Sequence, residues 1–222
     1  MPPTSEIRPF REIRPFRESD RDALRRLAAR AGEGAPTETL WGHQESEAAV
    51  YLEPYMDREP ESLLVAVADG NLVGYLTGCR DSTRFPAESE RIDRAIREYR
   101  LFARRACMGF FVRAMADTAL MTLRRQPAPG DFEDPRYPAH LHINVEPRAR
   151  SNGTAEALMT TWLDRLRATG SPGCHLQTVV ENTRAVRFFT RMGFTPHGAT
   201  PAVPGMRVDG RRVHQLTMVR SL

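Results

Sequence analysis

Two histidines, one turn and one asparagine carry the chemistry this sequence can offer. His140 and His142 stand two residues apart in the run His140-Leu-His-Ile-Asn-Val145. Its polar and apolar residues alternate with the period of a strand, so both imidazoles share one side with Asn144 while Leu141, Ile143 and Val145 take the other. Imidazole titrates near neutral pH, which suits a general acid or base. A pair of hydrogen-bonded structural histidines has the same spacing. Chelation of a metal needs a third ligand, and none is evident, so no metal is expected.

Pro147 ends the strand, and Arg150-Ser151-Asn152-Gly153-Thr154-Ala155 turns into a helix whose apolar face is Ala155, Leu158, Met159, Trp162, Leu163 and Leu166. The first amides of a helix have no acceptor within it, and the helix dipole adds positive potential there. Gly153 lets a ligand approach the backbone, Ala155 keeps the next position small, and Arg150 supplies a mobile full charge. This is a cradle for an anion such as a pyrophosphate.

The spacing Arg150-x-x-Gly153-x-Ala155 after Val145-x-Pro147 resembles the acyl-CoA signature of the GNAT superfamily of N-acetyltransferases. A second block, Asn182-Thr-Arg-Ala185-Val-Arg-Phe188-Phe189-Thr-Arg-Met192-Gly193-Phe194, is similar to the family's downstream motif. More narrowly, Tyr137-Pro-Ala-His-Leu-His-Ile143 and Gly170-Ser-Pro-Gly-Cys-His-Leu176 resemble the acetyltransferase-like C-terminal domain of O-GlcNAcase and its free-standing bacterial relatives. The resemblance implies acetyl-CoA as co-substrate, a primary amine of a small molecule or protein as acceptor, and direct attack of that amine on the thioester. It also implies that the backbone near Asn144 and Val145 pairs with pantetheine and the acyl carbonyl, and that the pyrophosphate sits on Arg150, Ser151, Asn152, Gly153, Thr154 and Ala155. Asn182 and Ala185 belong to the other side of the pantetheine, with Phe189 near the thiol. A His-x-His pair is the base in the serotonin N-acetyltransferase branch. Its register to the turn differs there by one residue, so the carry-over to His140 and His142 requires a bulge.

One departure bears on turnover. Many GNAT enzymes have a tyrosine as general acid where Phe189 stands, and phenylalanine has no proton to give. Either Tyr137 or a water replaces it, or the thiolate leaves unassisted, or the domain binds acyl-CoA without turning it over. An acyl-carrying role for Cys174 is the weaker alternative to direct transfer. Should neither histidine be the base, Glu146, Glu181 and the tyrosines of residues 37–58 come next.

The elements that must position these groups follow from the rest of the 222 residues. The hexapeptide EIRPFR occurs twice in succession, at 6–11 and 12–17; the second copy reads as the first strand, the first as an added arm over 1–11. A helix follows with Leu24, Leu27 and Ala31, then one or two short helices over 37–58 whose Trp41, His43, Tyr51 and Tyr55 are candidates to face substrate. Leu63–Ala68 and Leu72–Cys79 flank Asp69-Gly70-Asn71 as a hairpin. Residues 86–125 read as a helical insert, 126–138 and 196–209 as loops, and 174–180 and 212–220 as strands. Phe194 starts a further strand. The expected architecture is α+β (α/β), one domain over 12–222 with a mixed, mostly antiparallel twisted sheet of about seven strands flanked by helices.

Composition bounds the function. All 32 basic residues are arginine, and with 28 acids the net charge is +4. The arginines are interleaved with acids rather than clustered, so no nucleic-acid partner is expected. No apolar run is expected to approach the length needed to span a bilayer and no leader pattern is read at the N-terminus, which makes the cytoplasm the expected location. Cys79, Cys107 and Cys174 are too few and too scattered for a disulfide framework or a zinc knuckle. A monomer or homodimer is expected.

Overall fold

The computed structural model describes residues 12–31 and 40–222. The arm expected over 1–11 lies outside these residues. The elements in chain order are β1 Glu12–Pro15, α1 Arg21–Ala31, α2 Gln44–Tyr51, α3 Glu53–Arg58, β2 Leu64–Ala68, β3 Asn71–Cys79, α4 Glu88–Glu98, α5 Arg105–Leu123 and β4 Ala139–Val145. Then come α6 Thr154–Ala168, β5 Gly173–Val179, α7 Thr183–Arg191, β6 Thr195–His197, β7 Ala202–Val208 and β8 Arg211–Ser221. The strands lie in the order β1-β2-β3-β4-β5-β8-β6, with β7 paired to β8. Among the described residues that makes eight strands, one more than expected. Every pairing is antiparallel except β4 with β5.

Each face of the sheet carries its own core. On one, α6 buries Leu158, Met159, Trp162, Leu163 and Leu166 against Leu64, Leu76, Leu141 and Leu176. The close fit depends on Gly78, because a Cβ there would lie 2.6 Å from the Trp162 ring. On the other face, Leu24 and Leu27 of α1 and Tyr55 and Met56 of α3 pack on Val65, Tyr75 and Cys79. The face that carries Tyr75 and Cys79 also carries Asn144 and His140, their cross-strand partners on β4.

The helical insert expected over 86–125 consists of two helices, α4 and α5. Arg100, at φ +50°, breaks the chain between α4 and α5. Together with α2 the pair builds a third core of Trp41, Val50, Ala95, Leu101, Cys107 and Phe111. Asp117, buried on α5, fixes the insert to the sheet. It accepts the Gly205 amide at 3.0 Å and pairs with Arg207 at 2.7 Å and Arg212 at 2.8 Å. A buried carboxylate with two guanidiniums and an amide has the partners that its desolvation demands. The outer side of α5 exposes Met108, Val112, Met115 and Leu123. By length and composition α5 could cross a membrane, contrary to the sequence expectation, although Arg113 and Asp117 interrupt it.

One expectation at the C-terminal end is corrected. Residues 196–209 are not all loop, since β7 runs through them. Pro204 and Gly205 mark a loop in sequence, but the pairing of β7 with β8 shifts between Ala202 and Arg207, and the Gly205 amide goes to Asp117 instead of the ladder. The last strand, expected over 212–220, runs Arg211–Ser221. Its C-terminal half lies between β5 and β6, and its N-terminal half pairs with β7.

Candidate functional site

The site begins where two strands part. β4 and β5 pair in parallel only at Ala139 with Cys174 and His140 with His175, although both strands continue. Beyond His140 they diverge, and a cleft of about 1820 Å³ opens between Leu141–Val145 and Leu176–Val179. One end of the cleft reaches the start of α6. The other is roofed by α2 and the insert.

At the α6 end, Ser151 (φ +67°) and Gly153 (φ +85°) take left-handed conformations, and a Cβ on Gly153 would meet nothing within 4 Å. Ser151, Gly153 and Ala155 line the cleft. Asn152 and Thr154 do not: the Asn152 Oδ1 accepts the Thr154 amide at 3.3 Å and its hydroxyl at 2.6 Å, and Thr154 is buried. The Thr154 amide is therefore occupied, which interrupts the expected row of free donors. Arg150 differs too. Its guanidinium donates to the Val145 carbonyl at 3.1 Å and to the Ala31 carbonyl, at the end of α1, at 3.0 Å. It anchors the turn where a mobile charge was expected. Arg184, Arg187 and Arg191 of α7 also line the cleft. Their three- and four-residue spacing puts them on one helix face, a signal in the sequence that the inward apolar residues overshadowed.

Asn182 caps α7 as expected, its Oδ1 accepting the Ala185 amide at 3.2 Å. Asn182, Ala185 and Phe189 face the cleft, as do Asn144 and Val145.

The two histidines have unlike surroundings. Ser82 Oγ donates to the Pro138 carbonyl at 2.8 Å, so its oxygen is left to accept His140 Nδ1–H at 2.6 Å. His140 Nε2 then accepts the Tyr55 hydroxyl at 2.8 Å. Both ring nitrogens of His140 are thus committed, in one tautomer. His142 lines the cleft and has no hydrogen bond from its ring among the described residues; Tyr51, Tyr55 and His140 flank it edge-on. β3 and β4 keep one register from Gly74–Val145 to Cys79–His140, so the bulge that the serotonin-branch register required is absent.

Around His142, Tyr51 donates to Glu88 at 2.6 Å, and the Glu88 amide reaches Asp131 at 3.2 Å. Trp41 and Tyr51 face the cleft; His43 instead caps α2, and Tyr55 holds His140. The other candidate bases are engaged elsewhere: Glu181 with His214 at 2.9 Å, Glu146 with Arg30 at 3.5 Å. Tyr137 packs its ring by His197 and is not part of the cleft wall. Burial pushes the Cys174 thiol up to about 12, which removes it as a nucleophile at neutral pH. Among the described residues no cluster of His, Cys, Asp or Glu could hold a metal.

Burial, then the charge of Arg91 and the neighbouring His175, brings His142 down to about 4, and burial also takes His140 well below its ordinary value. Both are neutral in the folded protein while their unfolded counterparts titrate at about 6.5. The unfolded chain therefore binds more protons below that pH, and stability present above about 6.5 is lost as the pH falls toward 4. For His142 the loss by pH 4.5 is on the order of 2 kcal/mol, a melting temperature lower by several degrees for a domain of this size. Calorimetry at pH 7.5 and 4.5 checks this. His142→Gln should narrow the difference between the two pH values.

A model of the acetyltransferase (GNAT) family matches residues 22–194. Among solved structures, SsHAT is similar at 26% identity and a TM-score of 0.57, over 95% of this chain and 97% of that chain. The GNAT superfamily phosphinothricin acetyltransferase of Sinorhizobium meliloti, solved with AcCoA, is 15% identical with a TM-score of 0.56, over 95% of this chain and 88% of its own. An agmatine N-acetyltransferase is 18% identical with a TM-score of 0.56, over 95% and 99%. At these last two identities the likeness is one of fold. The family match takes in the diverging strands, the open turn at the start of α6 and the α7 cap, and by it this chain belongs to the acetyltransferase (GNAT) family, an acyltransferase by lineage.

Proposed function

We propose that this protein binds acetyl-CoA between β4 and β5 and transfers the acetyl group to a primary amine of a small molecule or protein by direct attack. The divergence of the two strands after His140 is the observation that carries this reading. It leaves the edge of β4 without a strand partner, where an extended pantetheine arm can pair with the backbone. Ser151, Gly153 and Ala155 would receive the pyrophosphate, with Arg184, Arg187 and Arg191 supplying charge. Asn182, Ala185 and Phe189 would flank the arm from the β5 side. Holding thioester and amine in reacting geometry is worth several kcal/mol of the barrier.

The base in this reading is His142. Being neutral at working pH and without a ring hydrogen bond among the described residues, it can accept a proton as the amine attacks. Burial, which lowers it to about 4, makes it a weaker base than an ordinary imidazole and its imidazolium quick to give the proton up. A second pocket of about 320 Å³, with Glu88, Asp131 and Glu133 in its wall, adjoins His142 and offers a way to solvent. His140 serves as a positioning residue, fixed by Tyr55 and Ser82.

Phe189 favours a second reading, an acyl-CoA-binding module with little or no turnover. Within the family, we place the chain nearest the O-GlcNAcase-type acetyltransferase domains. The two segments that carry that resemblance meet in the fold, where His175 Nδ1 donates to the Tyr137 carbonyl at 2.7 Å. Three buried free thiols suit a reducing compartment such as the cytoplasm. The test is a thiol-release assay with acetyl-CoA over a panel of primary amines. Release that depends on both substrates supports the enzyme. Tight acetyl-CoA binding with no release for any amine supports the module.

A further inference from the structure

We propose that Tyr75 of β3 donates a hydrogen bond to the sulfur of the departing thiolate and so replaces the phenol that Phe189 lacks. This rests on the reading of the cleft as an acetyl-transfer site. Tyr75 is the cross-strand partner of Asn144 and shares its face with His142. It lines the cleft yet is only 6% exposed, so solvent has little access to its hydroxyl. The Asn144 Nδ2 donates to the Tyr75 oxygen at 3.1 Å, and among the described residues the Tyr75 proton has no acceptor of its own. The protons of the other phenols nearby are already committed: Tyr51 to Glu88 and Tyr55 to His140. Tyr99, at the end of α4, also lines the cleft and stands against His43; it comes from the insert, whereas Tyr75 is on the strand paired with β4. Of the tyrosines on β3 and β4 and the helices over them, Tyr75 is the one that lines the cleft beside Asn144 with a proton that has no acceptor among the described residues.

Bond by bond, the amine lone pair forms the new N–C bond and the C–S electron pair goes to sulfur. The N–H proton passes to His142 Nε2 or Nδ1, whichever faces the amine. Tyr75 O–H holds the negative sulfur without surrendering its proton. The thiolate then takes the proton from the His142 imidazolium, directly or through water, giving free thiol and neutral imidazole. Burial holds the Tyr75 phenol up at about 12, so it remains a donor throughout the working pH range. A fixed donor of this kind, aimed at charge that develops only during reaction, is typically worth about a hundredfold or more in rate.

The experiment compares single-turnover rates and acetyl-CoA affinities for the wild type, Tyr75→Phe, and Tyr75→Phe combined with Phe189→Tyr, with an amine the wild type uses. Tyr75→Phe should lower the single-turnover rate about a hundredfold with acetyl-CoA affinity within threefold of wild type. The added Phe189→Tyr should recover at least tenfold, because it puts a phenol back near the sulfur from the other wall. A wild-type rate in Tyr75→Phe overturns the inference and leaves the acetyltransferase reading intact. So does a rate loss that follows lost acetyl-CoA affinity and is not rescued. A wild type that binds acetyl-CoA but acetylates no amine overturns both.

Discussion

Replacing Gly153 with glutamate is expected to reduce acetyl-CoA affinity by at least a hundredfold while the protein stays folded. Gly153 holds φ +85° and its Cβ position is open, so the new side chain would project into the mouth of the cleft without a steric clash. Two costs add there. A residue with a Cβ in the left-handed region is strained by about 1–2 kcal/mol, and a carboxylate would face the phosphates at short range. Gly153→Ala separates them, because it keeps the strain and omits the charge; it should bind acetyl-CoA far better than Gly153→Glu. Titration calorimetry with acetyl-CoA reads both. An unchanged affinity in folded Gly153→Glu would place the pyrophosphate elsewhere.

The second large effect is expected at His142. His142→Gln should slow transfer by roughly a hundredfold or more, the usual size of a general-base contribution, and leave acetyl-CoA affinity intact. The remaining rate should climb with pH as the free amine becomes abundant. His140→Gln should behave differently. It breaks the chain from Tyr55 through the imidazole to Ser82 and Pro138, so its main effect should be lost stability, about 1–3 kcal/mol for a broken buried network. Rate profiles and denaturation curves on the two variants distinguish base from positioning residue. Full activity in His142→Gln would move the search to other groups in the cleft wall, beginning with Glu88.

Much of this site can be read in the linear chain because its signals are local. The alternation His140 to Val145 sets which side chains share a face, and the switch to helical period after Gly153 puts a helix start beside them. Asn182 caps α7 three residues before Ala185, again a short-range pattern. What the chain conceals is decided at long range. Arg150 spends its charge on the carbonyls of Val145 and Ala31, and the second of these lies on a different helix. His140 and His142 are equivalent as spacing; only Tyr55 and Ser82, from distant parts of the sequence, make one structural and leave the other free to act. β7 is hidden for a similar reason. Pro204 and Gly205 would break an ordinary strand, yet here the amide that the ladder loses is satisfied by Asp117 of the insert.

The role of Phe189 shows the limit of motif reading from the other direction. In sequence it is a missing proton donor, and Tyr137 is the nearest substitute by motif. In the fold Tyr137 turns toward His197, while Tyr75, unremarkable as one apolar-phase residue of a hairpin strand, stands beside Asn144 with a hydroxyl proton that has no acceptor among the described residues. On the proposal made for Tyr75, pairing across strands, not proximity in sequence, would supply the substitute.

The most direct test of the central claim is a chemical-quench experiment with isotopically labelled acetyl-CoA, read by mass spectrometry on both acceptor and protein. Acetyl-CoA mixed with protein alone should leave the protein unmodified and the thioester intact. On addition of an amine from the panel, the label should appear on the amine nitrogen in step with thiol release, with no acetyl group on Cys174 or any other residue. A labelled protein formed before the amine is acetylated, or a thioester that survives every amine although it is tightly bound, would contradict direct transfer in this cleft.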